Sequence, residues 1–153
     1  MDTSRAALLV KRAREDLGIS QAELAERART SQSAIAAIEN GKRNVSEELL
    51  QRLMTAADVR PSIPLAVNAD VIHNLAASFG LSDLRVFGSV VRGDDTSDSD
   101  VDVLARYDRT VPFFKMRGFP ARVEEVIGFP VDLVLDDSSS SAIDEIRRTA
   151  VAL

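Results

Sequence analysis

The sequence contains no cysteine and a single histidine. Without cysteine there is no disulfide, no thiolate metal site and no cysteine nucleophile. His73 has no partner at triad or ligand spacing, which sets aside a Ser-His-Asp centre or a histidine-rich zinc site and leaves a surface or packing residue. Long apolar runs are missing too, all falling far short of the roughly 20 residues that cross a bilayer. The amino terminus, MDTSRAALLVKRARED, lacks a sustained apolar core and a small-residue cleavage site, so no secretory signal is visible. The expectation is a cytoplasmic protein with no membrane partner. No internal repeat occurs, and the serines at 138–141 read as a short loop or a helix-cap cluster.

Charge is unevenly placed. The net charge is −5, yet residues 1–60 carry ten Lys/Arg against nine Asp/Glu, while residues 61–153 carry nine against fifteen. At 153 residues the chain has room for two small modules, and the asymmetry implies that they meet different partners.

The segment Leu84–Leu104, LRVFGSVVRGDDTSDSDVDVL, holds the densest chemistry. Leu84 and Val86 alternate into Phe87 as a short buried strand does, and Gly88-Ser89 breaks the run as a backbone does when it turns beside a ligand. Alternation resumes with Val101 and Val103 facing one way and Asp100 and Asp102 the other. Two carboxylates so close are costly unless a cation sits between them. Hard divalent ions such as magnesium take such oxygen ligands together with substrate phosphates. The Gly-Ser turn offers backbone N–H groups and a hydroxyl to those phosphates. These parts suit metal-dependent phosphoryl or nucleotidyl transfer. Asp94, Asp95 and Asp98 read as solvated loop residues.

Further on, Phe113, Phe114, Met116 and Phe119 are expected to pack under the sheet, and a helix is expected over 120–127. Val131–Leu135 alternates as a third strand, with Asp132 as an acidic interruption that requires a partner. If it lies beside the Asp100/Asp102 strand, three carboxylates converge. A last amphipathic helix is expected over Ala142–Leu153, with Ile143, Ile146, Ala150 and Leu153 as its buried stripe.

The first sixty residues are helical in pattern. Ala6, Leu8, Leu9, Ala13 and Leu17 recur at helical spacing before Gly18. Ser20-Gln-Ala-Glu23 is a capping box that opens a second helix. Ser31 can cap a third, ended by Asn40-Gly41, and Ser46 a fourth. Two short helices joined by a three- or four-residue turn form a helix-turn-helix. Pro61 and Pro64 favour an extended linker, after which Asn68 can cap a helix over Ala69–Phe79.

ISQAELAERARTSQSAIAAIENGKRNVSEELLQRL resembles the Cro/C1 (XRE) family of helix-turn-helix domains. The resemblance implies a phosphate anchor at Gln21 and base reading in the major groove from Ser31, Gln32 and Ser33, where Gln32 could bond adenine bidentately. Asn40, Lys42 and Arg43 in the following turn suit phosphate contact. Operator DNA is therefore an expected partner, and a homodimer would reach two half-sites.

Gly88-Ser89 followed at ten residues by Asp100-Val101-Asp102, with Arg92-Gly93, Ser99 and VDLV around Asp132, resembles the polymerase-β-like nucleotidyltransferases, and within them the minimal nucleotidyltransferase (MNT) branch. That resemblance implies two Mg2+ ions held by Asp100, Asp102 and Asp132, and a triphosphate, with ATP as nucleotidyl donor, bound at Gly88 and Ser89. It gives Asp132 the further task of activating the acceptor hydroxyl. Arg92 either touches phosphate or acceptor or pairs with a neighbouring carboxylate.

The implied architecture is two domains: an all-α helix-turn-helix domain (1–60), a linker (61–67) and an α+β nucleotidyltransferase domain (68–153) with a short mixed sheet. MNT proteins of this size resemble antitoxins that act on HEPN-type toxins. The expected function is thus a DNA-binding antitoxin and autorepressor that transfers AMP to a tyrosine of its toxin, in a homodimer or a toxin–antitoxin hetero-oligomer. Two rivals stay open: a transferase acting on tRNA or a small molecule such as an aminoglycoside, and a regulator that senses nucleotide without turnover. Residues 68–153 leave little room for the acceptor-binding domain that the first rival needs.

Overall fold

The computed structural model describes residues 3–136 and 140–153. Its second, third and fourth helices begin at the expected caps. α1 (Ala6–Asp16) buries Ala6, Leu9, Val10 and Ala13, while Leu8 and Leu17 remain at the surface. α2 (Gln21–Arg27) starts from the Ser20/Glu23 capping box, with both reciprocal hydrogen bonds formed. The Ser31 hydroxyl accepts from Ala34 N to open α3 (Gln32–Glu39), and Ser46 does the same at Leu49 for α4 (Glu47–Ala56). Each cap satisfies an amide that has no intrahelical partner.

The joint is helical where the prolines led us to expect an extended linker. α5 spans Ser62–Val67, with Pro61 at its N-cap and Pro64 in its first turn. First-turn residues have no intrahelical acceptor for their N–H, so proline costs nothing there. Asn68 does not cap α6 (Ala69–Ser78). It is buried, and its Nδ2 donates back to Pro64 O at 2.8 Å. α5 packs on α1, so Leu65 and Val67 carry one continuous apolar core from the helical module to the sheet.

The sheet has the order β3-β2-β1-β4. β1 (Leu81–Phe87) runs antiparallel to β2 (Val101–Tyr107), which is parallel to β3 (Val131–Leu135). Between β1 and β2 lies the one-turn α7 (Ser89–Arg92); α8 (Phe113–Met116) and α9 (Phe119–Ile127) join β2 to β3. Val101, Val103, Ala105 and Val131 belong to the main core, with the half-buried Leu133 and Leu135 packed against it, on the sheet face that α6 and α9 cover. The opposite face carries Asp102 and Asp132.

Two further expectations give way. The last helix, α10, covers only Ser141–Thr149, opened by the Ser140 hydroxyl, which accepts from Ile143 N; Ser138 and Ser139 lie outside the described residues. Ala150 turns extended, and Val151–Ala152 form β4 against β1. The outer edge of β1 offers backbone groups that need partners, and a β-branched residue suits that pairing better than another helical turn. Phe113 and Phe114 do not pack under the sheet: they are 59% and 78% exposed, whereas Met116 and Phe119 are buried. Phe119 meets Phe79 edge-to-face at 6.0 Å, and Phe113 instead meets Tyr107, also edge-to-face at 6.0 Å.

Candidate active site

The site is assembled by the register of the central strands. Asp102 pairs with Asp132 across the parallel β2–β3 ladder and with Phe87 across the antiparallel β1–β2 ladder. Side chains directly paired in a ladder share a sheet face, so both carboxylates stand at the end of β1, where Gly88 and α7 begin. Asp100 lies just ahead of β2. It is near enough that its charge, with that of Asp132, acts on Asp102: burial first, then these two carboxylates, push the Asp102 carboxyl above its ordinary value, while Arg92 pulls it down.

Gly88 has φ 72° and ψ −148°, a conformation open essentially to glycine alone. A Cβ there would collide with the Asp102 carboxylate. Glycine is required both for the turn and for the close approach of backbone to carboxylate. Ser89 opens α7, and Gly93 closes it in the left-handed conformation. Arg92 is exposed and its Nε donates to Asp94 Oδ2 at 3.1 Å.

The donor set fits a hard divalent cation. Two carboxylates act on a third, Asp102, which is electrostatically penalised when charged, and the adjoining glycine leaves space that a side chain would fill. Among the described residues no three metal-ligating side chains stand in ready-made ligating geometry. Asp100 and Asp132 are exposed and Asp102 half-buried, so the group is open on the side from which phosphates would approach.

Asp95 departs from the expectation of a solvated acid. Its side chain is 0% exposed. Oδ1 accepts from Arg60 Nη1 at 3.0 Å, and Oδ2 from Ser62 N at 2.9 Å. Arg60 in turn donates through Nε and Nη2 to both oxygens of Asp16, at 2.8 and 2.7 Å. A second buried acid, Asp136, follows β3 and holds Arg85 and Arg147. Neither was legible beforehand, because no local spacing ties Asp95 to Arg60 or Asp136 to Arg85.

On the helical module, Ser31, Gln32, Ser33, Asn40, Lys42 and Arg43 are all exposed around α3 and the turn after it. Asn40 Nδ2 donates to Ala36 O at 2.8 Å, and the Ser31 and Ser33 hydroxyls are 3.1 Å apart. Gln21 is half-buried and held on both sides: its Nε2 donates to Glu39 Oε2 at 2.9 Å, and its Oε1 accepts from Gln32 Nε2 at 3.0 Å. Glu39 is fixed by Arg14 at 2.7 and 3.1 Å. Burial pushes the Glu39 carboxyl up, but the Arg14 and Gln21 hydrogen bonds prevail and hold it below its ordinary value.

Known proteins agree with this geometry. Residues 10–63 match a helix-turn-helix family, and residues 72–151 match the nucleotidyltransferase domain family. The chain belongs to the nucleotidyltransferase family and carries an amino-terminal helix-turn-helix, which makes it an enzyme of the transferase class. It is 38% identical over 69 residues to protein adenylyltransferase MntA of Thermococcus cleftensis, across 45% of this chain and 70% of that protein. A solved structure assigned as a minimal nucleotidyltransferase superposes with a TM-score of 0.53 at 28% identity, covering 58% of this chain and 92% of that one. Among the described residues no helix is long and apolar enough to cross a membrane.

Proposed function

We propose that this protein transfers AMP from ATP to a tyrosine hydroxyl of a HEPN-type toxin, and that its helix-turn-helix domain represses the operon encoding the pair. The observation that carries the reading is the in-register placement of Asp102 beside Asp132, with Asp100 adjacent and Gly88 packed against the Asp102 carboxylate. The adenylyltransferase named among its relatives supports a protein as acceptor.

In this reading Asp100, Asp102 and Asp132 hold Mg2+, with two ions in the full site. Bound there, the metal neutralises phosphate charge and favours both the attacking and the leaving oxygen. The chain's own groups do the positioning. The Gly88–Ser89 turn presents backbone N–H groups to the triphosphate, and Arg92, exposed at the end of α7, adds a cation beside it. Asp132 lies on the exposed side of the carboxylate group and takes the proton of the tyrosine hydroxyl. The tyrosine oxygen forms a bond to the α-phosphorus as the bond from that phosphorus to the bridging oxygen breaks. Pyrophosphate leaves with the bonding pair. Specificity for the acceptor comes from docking of the whole partner, since the carboxylate group is shallow. On DNA, Gln32 reads bases while Gln21, Asn40, Lys42 and Arg43 contact phosphates, and a homodimer places two such helices on successive half-sites.

The test is to incubate the protein with α-phosphate-labelled ATP, magnesium and the product of the adjacent reading frame. Label on that protein supports the reading. Label on RNA or on a small molecule points to a different acceptor. Bound nucleotide with no transfer points to a regulator without turnover.

A further inference from the structure

The loop between α7 and β2 carries two acids with different duties, five residues apart. Asp100 is exposed and lies two residues ahead of Asp102, whereas Asp95 is buried against the helical module and clamped by Arg60 and Ser62 N. Arg60 binds Asp16 at the end of α1. From the same helix Arg14 holds Glu39, Glu39 holds Gln21, and Gln21 holds Gln32 in the first turn of α3. An unbroken series of ion pairs, hydrogen bonds and one rigid helix thus joins the loop between α7 and β2 to the exposed face of α3.

The loop also borders open space. Ser97 lines a cavity of about 280 Å3 between α4 and the start of β3, walled by Gln51, Thr55, Val59, Phe129 and Pro130 among others. Asp102 and Asp132 are direct neighbours across the β2–β3 ladder and Asp100 precedes β2, yet among the described residues no three metal-ligating side chains stand in ligating geometry. A ligand that needs them together has to draw Asp100 inward and pull on the loop that Asp95 anchors.

Resting on the nucleotidyltransferase reading above, we propose that Asp95 and Arg60 form a coupling clamp through which nucleoside triphosphate and a divalent cation, bound at the carboxylate site, weaken the protein's grip on DNA. With the clamp closed and the Gln32–Gln21–Glu39–Arg14 series formed, as in this structure, the DNA-binding face is pre-organised. Closing the nucleotide site strains the clamp. Coupling is reciprocal, so bound DNA lowers nucleotide affinity by the same factor.

The experiment is a fluorescence-anisotropy titration of the full chain onto duplex DNA from upstream of its own reading frame, with and without magnesium and α,β-methylene ATP. Binding of the analogue itself is followed by calorimetry. The expected result is DNA affinity lowered by about fivefold or more when the analogue is present. In Asp95→Asn the ratio returns to about one while DNA and nucleotide each still bind; a purely structural role would weaken the fold and leave the ratio intact. Asp16→Asn, on the more exposed side of Arg60, gives the same loss of coupling if Asp95→Asn does not fold. Unchanged or tighter DNA binding in the presence of bound analogue overturns the clamp and leaves the enzymatic reading standing. Absence of analogue binding in the calorimeter overturns both.

Discussion

Asp102 of β2 and Asp132 of β3 are direct neighbours in a parallel ladder, with both carboxylates on one sheet face. Adjacent like charges destabilise a sheet, and Asp102 shows the effect in a carboxyl held above its ordinary value by burial and by Asp100 and Asp132. A divalent cation held by these carboxylates would relieve the repulsion.

Asp102→Asn should therefore separate stability from chemistry. Without divalent cation the variant gains about 1 kcal/mol, a rise in Tm of about 2–4 °C at this size. Magnesium raises the Tm of the wild-type protein and leaves that of the variant nearly unchanged. Nucleotidyl transfer by the variant falls by about 100-fold or more. Differential scanning calorimetry with and without magnesium checks the first two outcomes, and a transfer assay the third.

Gly88→Ala tests the turn that meets this carboxylate. Its φ of 72° and the collision of a Cβ with Asp102 should cost about 2–3 kcal/mol. Urea denaturation reports that loss, and calorimetry with a nucleotide analogue reports weakened triphosphate binding in whatever fraction stays folded.

The residues proposed to face DNA divide by what each substitution does to salt dependence. If Gln32 reads a base as proposed, Gln32→Ala should cost about 1–3 kcal/mol on the preferred sequence. If Arg43 contacts phosphate as proposed, Arg43→Ala should weaken binding to all sequences and lower the salt slope by about one. Anisotropy titrations over a range of salt concentrations distinguish the two.

Asp136 sets a pH window. Burial raises its carboxyl, but the Arg147 and Arg85 hydrogen bonds hold it below the ordinary value. A folded pKa below the unfolded one contributes stability above the unfolded value, about 3.9, and loses it as pH falls through the folded value. Asp136→Asn should cost about 2 kcal/mol at neutral pH, because it removes the charged acceptor that Arg85 and Arg147 share and leaves them the more exposed Asp83 and Asp144. Thermal melts of wild type and variant should converge in strong acid.

Local patterns in the chain carried far, and their limits are physical. Caps at Ser20, Ser31 and Ser46 are decided within four residues, so helix starts were readable. Period-two alternation placed Asp102 and Asp132 on strands, and strand adjacency then brought them together. The extended linker failed because Pro61 and Pro64 fall in a helix's first turn, a distinction invisible without the packing of α5 on α1. The last turn of α10 gave way to β4 because the open edge of β1 is a tertiary fact. Asp95 looked like one more loop acid, and only its burial against Arg60, 35 residues away in sequence, reveals otherwise.

The central claim is that the Asp100, Asp102 and Asp132 group moves a nucleotide onto a partner protein. The most direct measurement is the intact mass of the adjacent reading frame's product after co-production with wild-type protein or with Asp132→Asn. The account predicts a mass gain of one adenylate, mapped to a tyrosine, with wild type and none with the variant. A partner that binds the wild-type protein and keeps its unmodified mass in both cases would contradict it.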